Sequence, residues 1–194
     1  MKKINLENER KKLDREITFF HLKKAKERIF RCLEFAKEKK DDFFFFYFLA
    51  QYFIIVEDFK KALDYLNIAL NIRKNDPCTY NDKAICLAEL GKYKEALDCF
   101  NEGILKNRDY PLLYHNKGWL LNLLNRHKEA ILCFKKALEI EPDLPEALWS
   151  LADSYLKLKD KINAKKYLKK ALLNIKGKSS FIYKLIKKEL NKLD

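Results

Sequence analysis

The chain has 194 residues, 48% of them hydrophobic and 36% charged, with only four glycines and four prolines. That supplies a sizeable core, suits one elongated domain and leaves no room for a flexible linker. Lysine and arginine outnumber aspartate and glutamate by 41 to 28, a formal net charge of +13, and the five scattered cysteines form no Cys-x-x-Cys pair, which excludes a disulfide framework and a cysteine-built zinc site.

Residues 1–42 contain neither proline nor glycine. Ile17, Phe20, Ile29, Leu33 and Ala36 fall at helical spacing there, so the segment reads as helix, either a degenerate pair or one long element. Met1-Lys2-Lys3 leads into a charged stretch with no apolar core of a cleavable signal, and a cytoplasmic location is expected. The run Phe43–Val56 is apolar but holds only 14 residues, includes Gln51 and is bounded by Asp41-Asp42 and Glu57-Asp58. A spanning helix needs roughly 20 apolar residues. The run is therefore read as a packed helix, and no membrane partner is expected.

From residue 43 onward the chain repeats itself every 34 residues. Ala62, Ala96, Ala130 and Ala164 share one position, and Ala50, Ala84, Gly118 and Ala152 share another. A third set is Ala69, Gly103, Ala137 and Ala171. Large residues keep the same period at Phe46, Tyr80, Tyr114 and Leu148, and again at Leu66, Phe100, Phe134 and Leu168. Pro77, Pro111 and Pro145 mark the seams, where a first-turn proline gives up an N–H that would have no intrahelical partner. Breaks fall midway at Glu57-Asp58, Gly91-Lys92, Asn125-Arg126 and Lys159-Asp160. Each unit is thus helix, tight turn, antiparallel helix, with small residues where the two helices cross closely. After the fourth unit, Gly177 predicts a helix stop, and Ser179-Ser180 cap a last helix carrying Phe181, Ile182, Leu185, Ile186 and Leu190.

The segment Tyr80-Asn81-Asp82-Lys83-Ala84-Ile85-Cys86-Leu87-Ala88-Glu89-Leu90-Gly91-Lys92-Tyr93-Lys94-Glu95-Ala96 resembles the tetratricopeptide repeat (TPR) family, with its early aromatic, its small residue and its Gly-x-Tyr turn. Four units match, at 43–76, 77–110, 111–144 and 145–178; the turn glycine survives only as Gly91 and the terminal proline only as Pro142. The resemblance implies an all-α fold, a right-handed α-solenoid of stacked antiparallel helix pairs. Residues 1–42 would extend it at the N-terminus, and 179–194 would form a capping helix over the last unit.

The family likeness also implies a concave groove lined by the first helix of each repeat. Carried over by position, its candidate contacts are Tyr47 and Gln51 in the first repeat, and Asn81 and Ile85 in the second. The third gives His115, Asn116, Trp119, Asn122 and Leu123, and the fourth Glu146, Trp149, Asp153 and Lys157. Aromatic anchors beside amide donors suit an extended peptide, so a protein or peptide partner is expected. Trp119 and Trp149 as spacers between helices, and His115 as a buried hydrogen-bonded residue, are the plainer readings. The cations some TPR proteins use to hold chaperone C-termini are missing: Tyr47, Gln51, Asp82, Leu112 and Asn116 occupy those positions.

Lys165, Lys166, Lys169 and Lys170 form a stripe on the second helix of the fourth repeat, making a nucleic-acid or other polyanion contact the first alternative. Lysine without arginine or interleaved aromatics is a thin signal for strand recognition, and a solvated face explains it equally. Self-association through the apolar first repeat or the last helix is the second alternative. No Gly-rich phosphate loop, nucleophile–His–acid order or metal-ligand spacing is present, so no enzyme activity, cofactor or metal is expected.

Overall fold

The computed structural model describes residues 4–18, 21–175 and 180–193. These residues form helices and no strands: α1 (Leu6–Thr18), α2 (Leu22–Lys39), α3 (Asp42–Ile55), α4 (Phe59–Ile72), α5 (Pro77–Glu89), α6 (Tyr93–Lys106), α7 (Pro111–Leu123), α8 (His127–Ile140), α9 (Pro145–Lys157), α10 (Lys161–Ile175) and α11 (Ser180–Asn191). Aspartates open several of them. Asp41 accepts from Phe44 N at 3.2 Å, Asp58 from Lys61 N at 3.2 Å, and Asp76 from Thr79 N at 2.8 Å, each satisfying an N–H left orphaned at a helix start. Prolines begin α5, α7 and α9.

The mid-repeat breaks share one geometry although only one carries glycine. Glu57, Gly91, Asn125 and Lys159 all have left-handed φ, between 59° and 74°. In each, the next N–H reaches back to the helix: Asp58 to Phe53, Lys92 to Leu87, Arg126 to Leu121 and Asp160 to Tyr155, at 2.8–2.9 Å. These are Schellman-type caps. The backbone bond imposes the turn at all four, so the loss of glycine at three of them leaves it intact.

Where the sequence suggested one elongated domain, contacts divide the chain into two compact units, Met1–Gly103 and Ile104–Asp194. Stacked repeats touch mainly their neighbours, so few long-range contacts oppose such a division. In the first unit, Phe43, Phe44, Tyr47 and Phe48 are buried with Leu6, Leu13, Ala25 and Ile29 of α1 and α2. The N-terminal segment is thus two helices, with residues 19–20 outside the described set. Ala25 is its buried small residue, and Arg28, at the expected alanine position, pairs with Glu9 of α1. In the second unit, α11 lays Ile186 and Leu190 against Leu148, Ala152, Leu168 and Ala171. The expected stop at Gly177 and cap at Ser179 fall outside the described residues.

The small-residue positions are at the helix crossings. Ala62, Ala96, Ala130 and Ala164 are all fully buried. A Cβ on Gly118 would stand 2.7 Å from Phe134 Cε1. All five cysteines are free thiols. Among the described residues no helix is long and apolar enough to cross a membrane.

Candidate binding site

In the first unit Tyr47 is packed beneath α1, and Gln51 and Asn81 are buried beside it around Asp82. Arg10 is buried and its Nη1 donates to both carboxylate oxygens of Asp76, at 3.0 and 3.1 Å, while its guanidinium sits 5.1 Å from the Tyr47 ring centre. Tyr47 Oη donates to Asp82 Oδ2 at 3.0 Å, and Gln51 Nε2 donates to the same oxygen at 2.6 Å. Asn81 Nδ2 donates to Asp82 Oδ1 at 3.2 Å. Tyr47, Gln51 and Asn81 are all buried, and Ile85 is half-buried. Their polar atoms serve Asp82, so these three side chains are not offered to a partner. The physical reason is the Asp82 carboxylate, which gathers their donors, while Arg10 of α1 covers the Tyr47 ring.

Burial governs the electrostatics of this cluster. It lifts the Asp14 carboxyl to about 7, helped by the nearby Asp82 and opposed by Arg10. It lifts Asp82 to about 6, against the hydrogen bonds from Tyr47, Asn81 and Gln51 and the charge of Arg10.

The second unit carries the same positions two repeats on, and there the face is open. His115 stands where Tyr47 does and Ser150 where Asp82 does; His115 Nε2 lies 3.2 Å from Ser150 Oγ, and its Nδ1 2.9 Å from Asn116 Oδ1. Burial pushes the imidazole below its ordinary pKa, with the Asn116 hydrogen bond opposing, so His115 is neutral at physiological pH. Asn122 is buried and donates to Ser154 Oγ at 2.7 Å, while its Oδ1 lies 2.9 Å from His127 Nδ1. His115 and Asn122 thus bind α7 to its neighbours and position the face.

Trp119 takes the place of Gln51 and is 40% exposed, with Leu123 beside it 54% exposed. Trp149 replaces Asn81; it is half-buried and packs partly against the α11 cluster. Together with Asn122, Phe134, Ser150, Asp153 and Lys157 these three residues line a shallow cleft of about 330 Å³. Asp153 pairs with Lys157 at 2.9 Å along its edge. Asn116 is half-buried and Glu146 exposed. The arrangement can seat an apolar side chain between two indoles beside a small polar rim.

A larger cleft of about 740 Å³ lies on the first unit, where Lys60, Lys83 and Lys92 alternate with Asp64, Glu95 and Asp98. Charges of both signs and no aromatic give it no evident preference. On α10, Lys166, Lys169 and Lys170 are exposed and Lys165 half-buried, while Ala164, Leu168 and Ala171 face the core. Among the described residues no group of three or more His, Cys, Asp or Glu side chains is placed to hold a metal ion.

Sequence reasoning missed the serines and the α1 cluster. Ser150 and Ser154 looked like ordinary helix residues, although Ser150 sits one period plus one residue beyond His115. Arg10 did carry a signal: a cation on the same turn-by-turn stripe as Leu6, Leu13 and Ile17.

Two matches to the family model described as tetratricopeptide repeat cover residues 111–144 and 145–174. Residues 111–174 thus carry two repeats of the tetratricopeptide-repeat family. No curated protein sequence matches it. Among solved structures, TTC0263, a thermophilic TPR protein of Thermus thermophilus, is 19% identical with a TM-score of 0.74, covering 95% of this chain and 98% of that one. A crystal structure of MamA is 20% identical with a TM-score of 0.64 over 86% of this chain and 95% of that one. MamA 41-end from Desulfovibrio magneticus RS-1 is 19% identical with a TM-score of 0.60, over 79% and 93% respectively. At such identities the likeness shows the TPR-type fold alone.

Proposed function

We propose that this TPR protein is a non-catalytic interaction module that binds a protein segment on the α7–α9 face. The observation that carries the reading is the contrast between equivalent positions. Gln51 and Asn81 are buried and engaged with Asp82, whereas Trp119 is exposed and opens, with Trp149, onto a cleft. A large indole left in water beside a cleft is the residue type that most often dominates a protein interface. Asn116, Glu146, Asp153 and Lys157 supply polar partners around it. His115 and Asn122 act as positioning residues, their polar atoms already engaged.

The test is capture of binding partners by the intact chain, identification by mass spectrometry, and titration of the recovered partner against Trp119→Ala and Trp149→Ala. Trp119→Ala is expected to weaken binding by roughly tenfold or more, with the helical circular dichroism unchanged. Trp149→Ala is expected to weaken it while also lowering the melting temperature, since that ring packs against the buried cluster shared by α9, α10 and α11. Unaltered affinity in a folded Trp119→Ala protein overturns the assignment.

A further inference from the structure

The outward face of α10 has a composition that neither a packed core nor a protein-binding groove accounts for. Ile162 is 85% exposed and Leu173 76% exposed. They are eleven residues apart, three turns of helix and about 16 Å, so they project from the same side. Between them on that side lie Lys166 and Lys169, flanked by Lys165 and Lys170. No acidic residue occurs anywhere in α10. Helix α11, packed on α10, adds exposed Lys184, Lys187 and Lys188 against the single acid Glu189. The second helix of the preceding repeat differs: Leu132 is 66% exposed there, but Glu129 and Glu139 lie beside its lysines and Lys136 pairs with Glu139 at 2.6 Å, so the acid-free basic face is confined to α10.

We propose that the α10 face docks on the surface of an anionic phospholipid bilayer, lysines at the headgroups and Ile162 and Leu173 seated between them. Two features choose lipid over nucleic acid. Exposed aliphatic side chains gain nothing from a phosphodiester backbone but gain from entering the boundary between headgroup and acyl chain. And Tyr167, the one aromatic on α10, stacks on Tyr155 at 5.7 Å, so no ring is offered to a base. Lysines close to a negatively charged leaflet each add attraction that salt screens. The expectation of no membrane partner rested on the lack of a spanning segment, and surface docking requires none. This face is separate from the Trp119 cleft.

The experiment is co-sedimentation of the intact chain with vesicles of equal parts phosphatidylcholine and phosphatidylserine, and with phosphatidylcholine vesicles alone. The chain is expected to sediment with the anionic vesicles only, less so as salt rises. Ile162→Asn with Leu173→Asn, which keeps the charge, is expected to cut binding roughly tenfold, as is Lys166→Gln with Lys169→Gln. Trp119→Ala is expected to bind vesicles like the wild type, so failure here is distinguishable from failure of the groove reading. No sedimentation with anionic vesicles, equal sedimentation with neutral ones, or full binding by the folded asparagine variant overturns the proposal. So does tighter binding to single-stranded RNA that ignores the asparagine substitutions.

Discussion

Gly118 leaves room that Phe134 fills. A methyl group there would stand 2.7 Å from Cε1 of a fully buried ring. Gly118→Ala is therefore expected to cost about 1–3 kcal/mol in urea denaturation, and Ala96→Leu or Ala130→Leu a similar amount, through overpacking at the crossing. Unchanged midpoints would mean that the crossings are loose. Lys159 poses the reverse case. It holds φ at 61° with a side chain, a conformation that costs a non-glycine residue roughly 1–2 kcal/mol. Glycine there loses roughly 0.5–1 kcal/mol through greater unfolded freedom, so Lys159→Gly is expected to stabilise by up to about 1.5 kcal/mol. At this scale the small residues were legible because volume at a crossing is read directly from the period. The turn conformation at Glu57, Asn125 and Lys159 was not, because a backbone hydrogen bond sets it and the side chain does not report it.

Among the helices, α1 does most to alter what the repeat pattern implies. The period places Tyr47, Gln51 and Asn81 on first-helix positions; the apolar stripe that holds Arg10 hints that this cation is buried, but the 34-residue period does not announce that it reaches Asp76 and covers Tyr47. The α1 cluster has a consequence for pH. Asp14 and Asp82 have carboxyls raised in the folded protein to about 7 and about 6. A raised carboxyl binds its proton more tightly when folded, so its contribution is present at acid pH and fades as pH climbs towards those values. Asp14→Asn is accordingly expected to raise stability at pH about 8 by roughly 1–2 kcal/mol, and to change it little near pH 4. A thermal melt series across that range checks it. Loss of stability at alkaline pH in the variant would show that the ionised carboxylate is well paired beneath α1.

For the molecule as a whole, two titrations of opposite sign lie in one chain. His115 has a depressed pKa, so unfolded chains take up a proton first and stability falls as pH drops below the ordinary imidazole value of about 6.5. Asp14 and Asp82 act the other way over much of the same window. In wild type the two partly cancel. His115→Gln, which keeps a hydrogen-bonding group towards Ser150, is expected to leave a protein that gains stability on acidification from pH about 7 to about 5. Asp14→Asn, which keeps Asp82 but removes one of the two raised carboxyls, is expected to gain less on acidification than His115→Gln does. Calorimetric melts showing the steeper gain in His115→Gln would confirm the pair of assignments, and a steeper gain in Asp14→Asn would refute them. The division of the chain and the coverage of one inner face depend on tertiary contacts, which a 34-residue period cannot encode.

The Arg10–Asp76 bond joins residues 66 positions apart, and that distance has a meaning in time. A ribosome adding roughly 5–20 residues per second delivers Asp76 about 3–13 seconds after Arg10. Phe44 and Tyr47 of α3 are made within that interval and precede Asp76 by roughly 1.5–6 seconds, without the anchor that fastens their cover. Nascent chains therefore pass through a stage in which rings that the finished protein hides are still uncovered.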